Sequence, residues 1–427
     1  MSRIAGYIIV CIASVAISSC RENSVTSSGQ VDRVVPESAA PTMMVKILGK
    51  NFSTTPTGNQ VKFNGVEGTV TNVKDTELTV EVPKGGSTGN ITVSSFGTTA
   101  KGPEFQYVDM KIVFNDLNSI KVWSNGEVET WSNTSRSSYG YSAALKGDDL
   151  HVAGSFYDGV VKPCYWKNKV EIDLPTNGSA ITSDIAIVGD DIYISGYDLT
   201  TSVKRALYWK NGNSIPLTGL SYGDETTSSI KVMGEDVYVG GSVINAAGKQ
   251  VAVYWKNGVL HQVSDGTFSS SVKDILVNDA DIHLVLEEYS PSGLYAPDGG
   301  ISIIYMKNST AFRLTEGSTK RLFSGAGRMT MANSRVYIPG WDNKDVKNRN
   351  VARLWIDGVQ SPLIPGELYT RVNWVGIVGD DVIVAGIKTD ATMATSSIFF
   401  MVNDTETIVS GPLPVGLVKI FVKQQSR

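Results

Sequence analysis

Residue types suited to acid–base, nucleophilic or metal chemistry are scarce in this 427-residue chain, which has three histidines (His151, His261, His283) and three cysteines (Cys11, Cys20, Cys164). No His-x-x-x-His, cysteine pair, Ser-His-Asp set at a usable spacing or glycine-rich phosphate loop can be named. The sequence therefore assigns no catalytic residue, no metal ligand and no cofactor. Its most conspicuous carboxylates stand in Gly-Asp-Asp triplets, at Gly147-Asp148-Asp149, Gly189-Asp190-Asp191 and Gly379-Asp380-Asp381, with Gly234-Glu235-Asp236 similar. They recur at hairpin turns, where Gly and Asp supply the backbone angles, so they are expected to be structural rather than a carboxylate pair or a calcium site. Cys164, beside Tyr165 and Trp166 in an apolar run, is expected to be a buried, inert thiol.

The chemistry that remains is recognition. Aromatic and polar residues in the longer connections are the candidates for ligand contact: Trp341, Asp342, Asn343, Tyr289, Tyr295, Asp298, Tyr157 and Tyr197. Exposed rings suit stacking against sugar rings or grasping a peptide, and Trp341-Asp342-Asn343 sets a ring beside two groups able to hydrogen-bond a hydroxylated ligand. The alternative, that these rings cap the hydrophobic interior of their own repeats, stays open.

The elements that position them repeat. Tyr-Trp-Lys-Asn occurs at Tyr165-Trp166-Lys167-Asn168, Tyr208-Trp209-Lys210-Asn211 and Tyr254-Trp255-Lys256-Asn257. Degenerate copies stand around Trp123, Met306, Trp355 and Met401, so that successive Trp or Met positions lie 43, 43, 46, 51, 49 and 46 residues apart. Each repeat divides into four short strands: an apolar strand, a tight Gly-Asp turn, a second strand, a loop, the Tyr-Trp-Lys-Asn strand, an Asn-Gly-type turn and a short fourth strand. Four strands per repeat of this length predict a β-propeller. Six repeats begin near Tyr141, Ser183, Ser229, Val272, Arg328 and Asn373, and joining the tail Leu417–Val422 to the head segment Lys111–Trp131 predicts a seventh blade that closes the ring. Glycines ending the second strands (Gly154, Gly196, Gly241, Gly340, Gly386) resemble those of kelch repeats. Tight turns fall on one rim and long loops on the other, and the candidate residues all belong to the long-loop rim.

Ahead of the repeats, short alternating strands predict an immunoglobulin-like β-sandwich over residues 34–108. Val45–Phe52, Val61-Lys62-Phe63-Asn64-Gly65, Leu78–Pro83, Thr88–Val93 and Phe105 together resemble an IPT/TIG domain. The propeller is expected over 109–427. Residues 1–19 read as a signal peptide, with Arg3 before an apolar run, and Ile17-Ser18-Ser19-Cys20 resembles a bacterial lipobox. That resemblance implies a lipid on Cys20, a flexible tether over 20–33, and a bacterial, Bacteroidetes-like lipoprotein of the cell envelope, at the outer membrane. A formal charge of −4 with no basic patch argues against a nucleic-acid partner. The expectation is thus an all-β lipoprotein whose propeller is a non-catalytic module binding polysaccharide or a protein partner, the rival being a polysaccharide hydrolase or lyase with its site in the propeller mouth.

Overall fold

The computed structural model describes residues 29–427 except 218, 220–221, 279–280, 292–298, 317–322, 344–349, 362–369, 380, 390–395, 403–404, 409–415 and 425–427. Cys20, the expected signal peptide, residues 20–28 of the expected tether, Tyr295 and Asp298 lie outside the described residues; residues 30–33, expected as tether, instead open the strand Gln30–Val35, which pairs with Met44–Lys50.

The repeat motifs form hairpins locked by one recurring set of contacts. Asn168, Asn211, Asn257 and Asn308 take left-handed φ values of 46° to 53°, a conformation Asn tolerates better than other side-chain-bearing residues. From there each side-chain oxygen accepts the N–H of the residue that follows the turn acid, at 2.8–3.0 Å. Each amide nitrogen donates to that acid, Asp149, Asp191, Asp236 or Asp281, at 2.6–2.8 Å. The preceding lysines, Lys167, Lys210, Lys256 and Lys307, pair with the same acids at 2.7–3.0 Å. Asp149, Asp191, Asp236 and Asp281 are thus committed to hairpin geometry, whereas Asp148 and Asp190 pair outside their hairpins with Lys423 and Lys146.

Six separate sheets follow one another along the chain, five of four strands and one of five. Their first strands lie innermost and their fourth strands, such as Val170–Asp173 and Val259–Gln262, outermost and largely exposed. The first strand of each of the first three sheets contacts the first strand of the next, and Gly416–Gln424 touches both Thr370–Val378 and Ser138–Lys146, which brings the two ends of the series together. Between sheets, one large side chain per repeat fills the gap. Trp166, Trp209, Trp255 and Trp355 are at most 1% exposed. Each packs against the preceding sheet or segment: Trp209 against Ala153 and Leu174, Trp255 against Tyr193 and Tyr208, Trp355 against Val285 and Tyr305. Truncating one such ring to Ala removes about 3–5 kcal/mol of packing.

The expectation of seven blades, the seventh joined from tail and head strands, is corrected to six. Thr98–Asp116 is one 19-residue strand that leaves the sandwich and enters the propeller without a break. The four strands expected to make a seventh blade are hydrogen-bonded in the order Gly416–Gln424, Thr98–Asp116, Ser119–Ser124, Glu127–Thr130, but through that long strand they belong to an eleven-stranded sheet with the sandwich. The two parts also share a core, in which Val45, Phe63 and Phe105 are continuous with Trp123, Trp374 and Phe400 of the propeller.

Candidate functional site

Every innermost strand is irregular at the same place. The pairing slips at Tyr141, Ser183, Ser228, Lys273, Asn373 and Val418. In the fifth sheet the strand is interrupted between Ser324–Ala326 and Thr330–Ala332, which leaves Gly327 and Arg328 in the gap. A bulge inserts an unpaired residue and re-aims its side chain, and bulges concentrate beside functional sites. Here they form a ring about the axis, three or four residues into each strand and therefore toward the end from which the long loops emerge. The second-strand glycines permit it. A Cβ at Gly154 would lie 2.1 Å from the carbonyl oxygen of Tyr139 and 2.8 Å from the Trp166 ring, and one at Gly386 would lie 1.8 Å from the Arg371 oxygen.

The residues following the bulges carry charge into the axis. Asp184 and Asp274 are each 1% exposed. Asp184 accepts from the Ser142 hydroxyl at 2.5 Å and the Ile230 N–H at 3.0 Å, and Asp274 from the Met329 N–H at 2.7 Å, so each acid ties its own sheet to the next. Arg328 reaches both carboxylates, at 3.4 and 3.3 Å, and the Ser183 carbonyl at 3.3 Å. Lys231 approaches Asp184 at 3.6 Å. Burial would push the Asp184 carboxyl up, but Arg328, Lys231 and Lys419 together outweigh it and hold it well below the usual carboxylate range. Burial, reinforced by Lys231, pushes the Lys419 ammonium down to about 8.

Beside this cluster lies a cavity of about 210 Å³ lined by Tyr141, Ser228, Lys273, Ala326, Gly327, Arg328 and Asn373. Lys273 pairs with Glu287 at 3.4 Å. The Asn373 side-chain oxygen is buried with no hydrogen-bond partner among the described residues, as is the Ser229 hydroxyl. A polar, cationic, partly unsatisfied cavity of this kind can hold a small hydroxylated or anionic group. It offers no unengaged nucleophile–base pair, because both acids are held in ion pairs and backbone bonds. Among the described residues no group of three or more His, Cys, Asp or Glu side chains is placed to hold a metal.

Among the described residues none of the candidates singled out in the sequence lines this cavity, and Tyr157, Tyr197, Tyr289, Trp341 and Asp342, expected in long connections, lie in the second strands themselves. Asp342 is 1% exposed and bound twice by Arg353, at 3.0 and 3.1 Å. Asn343 accepts from the Phe323 N–H at 2.8 Å and returns its own N–H to the Phe323 carbonyl at 3.1 Å. Trp341 is half-buried, its ring 4.6 Å from the Arg371 guanidinium. These three serve the fifth sheet and its long loops. Tyr157 and Tyr289 are exposed. Tyr197 is half-buried, burial pushes its phenol up, and it lies within electrostatic reach of Tyr141 at the cavity. His151 stacks on Tyr165, and His283 contacts the Tyr305 hydroxyl at 2.8 Å; burial lowers both imidazoles. Cys164 is fully buried and its thiol is pushed up by burial. The residues of the axial site, Ser142, Asp184, Ser229, Asp274, Arg328 and Lys419, stand among other polar residues of the first strands, as in Ala180–Val188 and Glu225–Met233, so the local sequence did not single them out.

Among solved structures, the chain is similar to an auxiliary nutrient binding protein from Bacteroides thetaiotaomicron, at 11% identity over 90% of this chain and 98% of that one, with a TM-score of 0.34. A quinonprotein alcohol dehydrogenase-like protein from the same organism is 9% identical over 90% and 95%, with a TM-score of 0.40. A puromycin-hydrolyzing peptidase from Mycobacterium tuberculosis is 9% identical over 68% and 48%, with a TM-score of 0.46. TM-scores below 0.5 carry no inference about this chain's activity or ligand. No curated protein matches its sequence. The family model described as IPT/TIG domain does match, over residues 30–107. That stretch coincides with the strands from Gln30–Val35 to the first part of Thr98–Asp116, and it belongs to the IPT/TIG domain family.

Proposed function

We propose that this chain is a cell-envelope lipoprotein, anchored through Cys20, whose propeller is a non-catalytic module that binds a polysaccharide at the long-loop end of its axis. The observation that carries the reading is the polar axial cavity of about 210 Å³ with an unpartnered buried acceptor, Asn373, in its wall. Binding sites are concave and hold a few convergent polar groups, and a ring of bulges that recurs in every sheet builds such a site from rigid strands. The exposed Tyr157 and Tyr289 would add contacts for a chain lying across the rim. The continuous strand from the IPT/TIG domain would hold the propeller at a set angle above the tether.

The test is a polysaccharide panel applied to the mature protein, read both by retention in affinity electrophoresis and by release of reducing ends. Retention without product is the expected result. Product release would replace the binding reading with a hydrolase or lyase, and a blank panel beside a stable co-purifying partner would replace it with a protein scaffold. Replacing Cys20 by Ser should release the protein from membranes; a variant that stays membrane-bound refutes the anchor.

A further inference from the structure

We infer that the axial cavity takes an acidic sugar, a single ring carrying a carboxylate, an assignment that rests on the polysaccharide-binding reading and names its ligand class. Charge is the first ground. Along the axis three cations, Arg328, Lys231 and Lys419, face two carboxylates, Asp184 and Asp274, and both acids already spend oxygens on backbone N–H groups. The ion pairs are loose, at 3.3 and 3.4 Å for Arg328 and 3.6 Å for Lys231. Among the described residues the Lys419 ammonium has no ion-pair partner and lies 5.6 Å from the centre of the Phe421 ring. Lys273 adds a cation at the cavity wall whose contact with Glu287 is 3.4 Å long. Lys419 and Lys231 stand behind the cavity wall, while the two cations that line it, Arg328 and Lys273, hold their carboxylates only through these long contacts, so a carboxylate entering the cavity would accept charge-assisted hydrogen bonds from both.

The unsatisfied polar atoms are an independent ground. The Asn373 oxygen can only accept and is closed off from solvent, so a ligand hydroxyl satisfies it once the amide turns toward the cavity that Asn373 lines. A halide, sulfate or the carboxylate of a simple fatty acid has none to offer. Size is the third ground: about 210 Å³ exceeds the roughly 150 Å³ that holds a benzene-sized ring, which admits one sugar unit and not two. Carboxylate, ring hydroxyls and single-ring size together describe a uronic acid, taken as the terminal unit of a chain that continues toward the long loops.

Calorimetric titration of the mature protein with glucuronic acid, its methyl ester and glucose tests this, in wild type and in Lys273→Gln and Asn373→Ala. Wild type should bind the acid at least about tenfold more tightly than the ester or glucose, the difference one charge-assisted hydrogen bond makes. Lys273→Gln should remove about that factor for the acid and leave the ester unchanged, and Asn373→Ala should weaken acid and ester alike. Ester or glucose binding as tightly as the acid overturns the acidic-sugar assignment and leaves the polysaccharide reading standing. Retention of neutral polysaccharides with no response to glucuronic acid does the same. A blank titration and a blank polysaccharide panel overturn both. Should Lys273→Gln fail to fold, the acid-to-ester comparison on wild type decides.

Discussion

Replacing Arg328 by Met would leave the Asp184 and Asp274 carboxylates, each 1% exposed, without their shared counter-charge. Removing one member of a buried ion pair costs about 3–5 kcal/mol. The lower end applies here, because the Arg328 contacts are long, Asp184 keeps Lys231 at 3.6 Å, and both acids keep their backbone donors. At roughly 2.1 cal/mol/K of unfolding entropy per residue, a propeller of about 320 residues has about 0.7 kcal/mol/K, so 3 kcal/mol lowers the melting temperature by about 4–5 °C. Differential scanning calorimetry of the mature protein at pH 7 reads that shift. The pH dependence identifies its cause. In the wild type the Asp184 carboxyl is held low because the surrounding cations outweigh burial. Its stabilisation is therefore present above the unfolded carboxylate value near 3.9 and is lost as pH falls toward the folded value. Without Arg328 that carboxyl titrates higher, so the gap between wild type and variant should be full at pH 6–8 and narrow as pH falls through about 4. A gap below about 1 °C at pH 7, or one as wide at pH 3 as at pH 7, refutes the electrostatic account.

Lys419, whose ammonium is pushed down to about 8, bears on stability with the opposite sign. A lysine with a folded pKa below its unfolded value near 10.4 costs stability below pH 8, and the cost is relieved as pH rises from about 8 to about 10.4. Lys419→Met should therefore stabilise the ligand-free protein at pH 7 by on the order of 1–3 kcal/mol and flatten the rise in stability between pH 8 and 10; an unchanged slope counts against it. In the hairpin lock, Asn257 combines a φ of 52° with bonds to Val237 and Asp236. Asn257→Gly should cost about 1 kcal/mol for the lost bonds, and Asn257→Ala about 2 kcal/mol once left-handed strain is added. Urea midpoints should fall in the order wild type, Gly, Ala, and a Gly variant weaker than the Ala variant contradicts the argument.

Repetition made most of the architecture legible. A Trp or Met at intervals of 43 to 51 residues announces one large side chain per inter-sheet gap, because such a ring has to be buried against a neighbour wherever the chain places it. The Gly-Asp turn and the Lys-Asn pair announce hairpins for the same reason: their contacts run between residues 18 to 27 apart in one repeat. The IPT/TIG segment was equally local. Blade separateness was not, since nothing in residues 98–116 says that the strand crosses from one domain into the other without a break.

The axial site lies at the far end of this scale. The sequence by itself determined an all-β chain with four-stranded repeats, a sandwich before them and the spacing that joins its tail to its head. Only the tertiary structure decided that Asp184, Asp274 and Arg328, up to 144 residues apart, meet on one axis with Lys231 and Lys419. It also decided that Asp342 and Asn343, which read as loop ligands, are buried in their own repeat. The physical reason is the same in both cases. Local patterns report what a residue must do within its own strand or turn, whereas a charge at the centre of a ring is compensated by whichever sheets the closure brings opposite it, and that depends on the number and tilt of all the sheets at once.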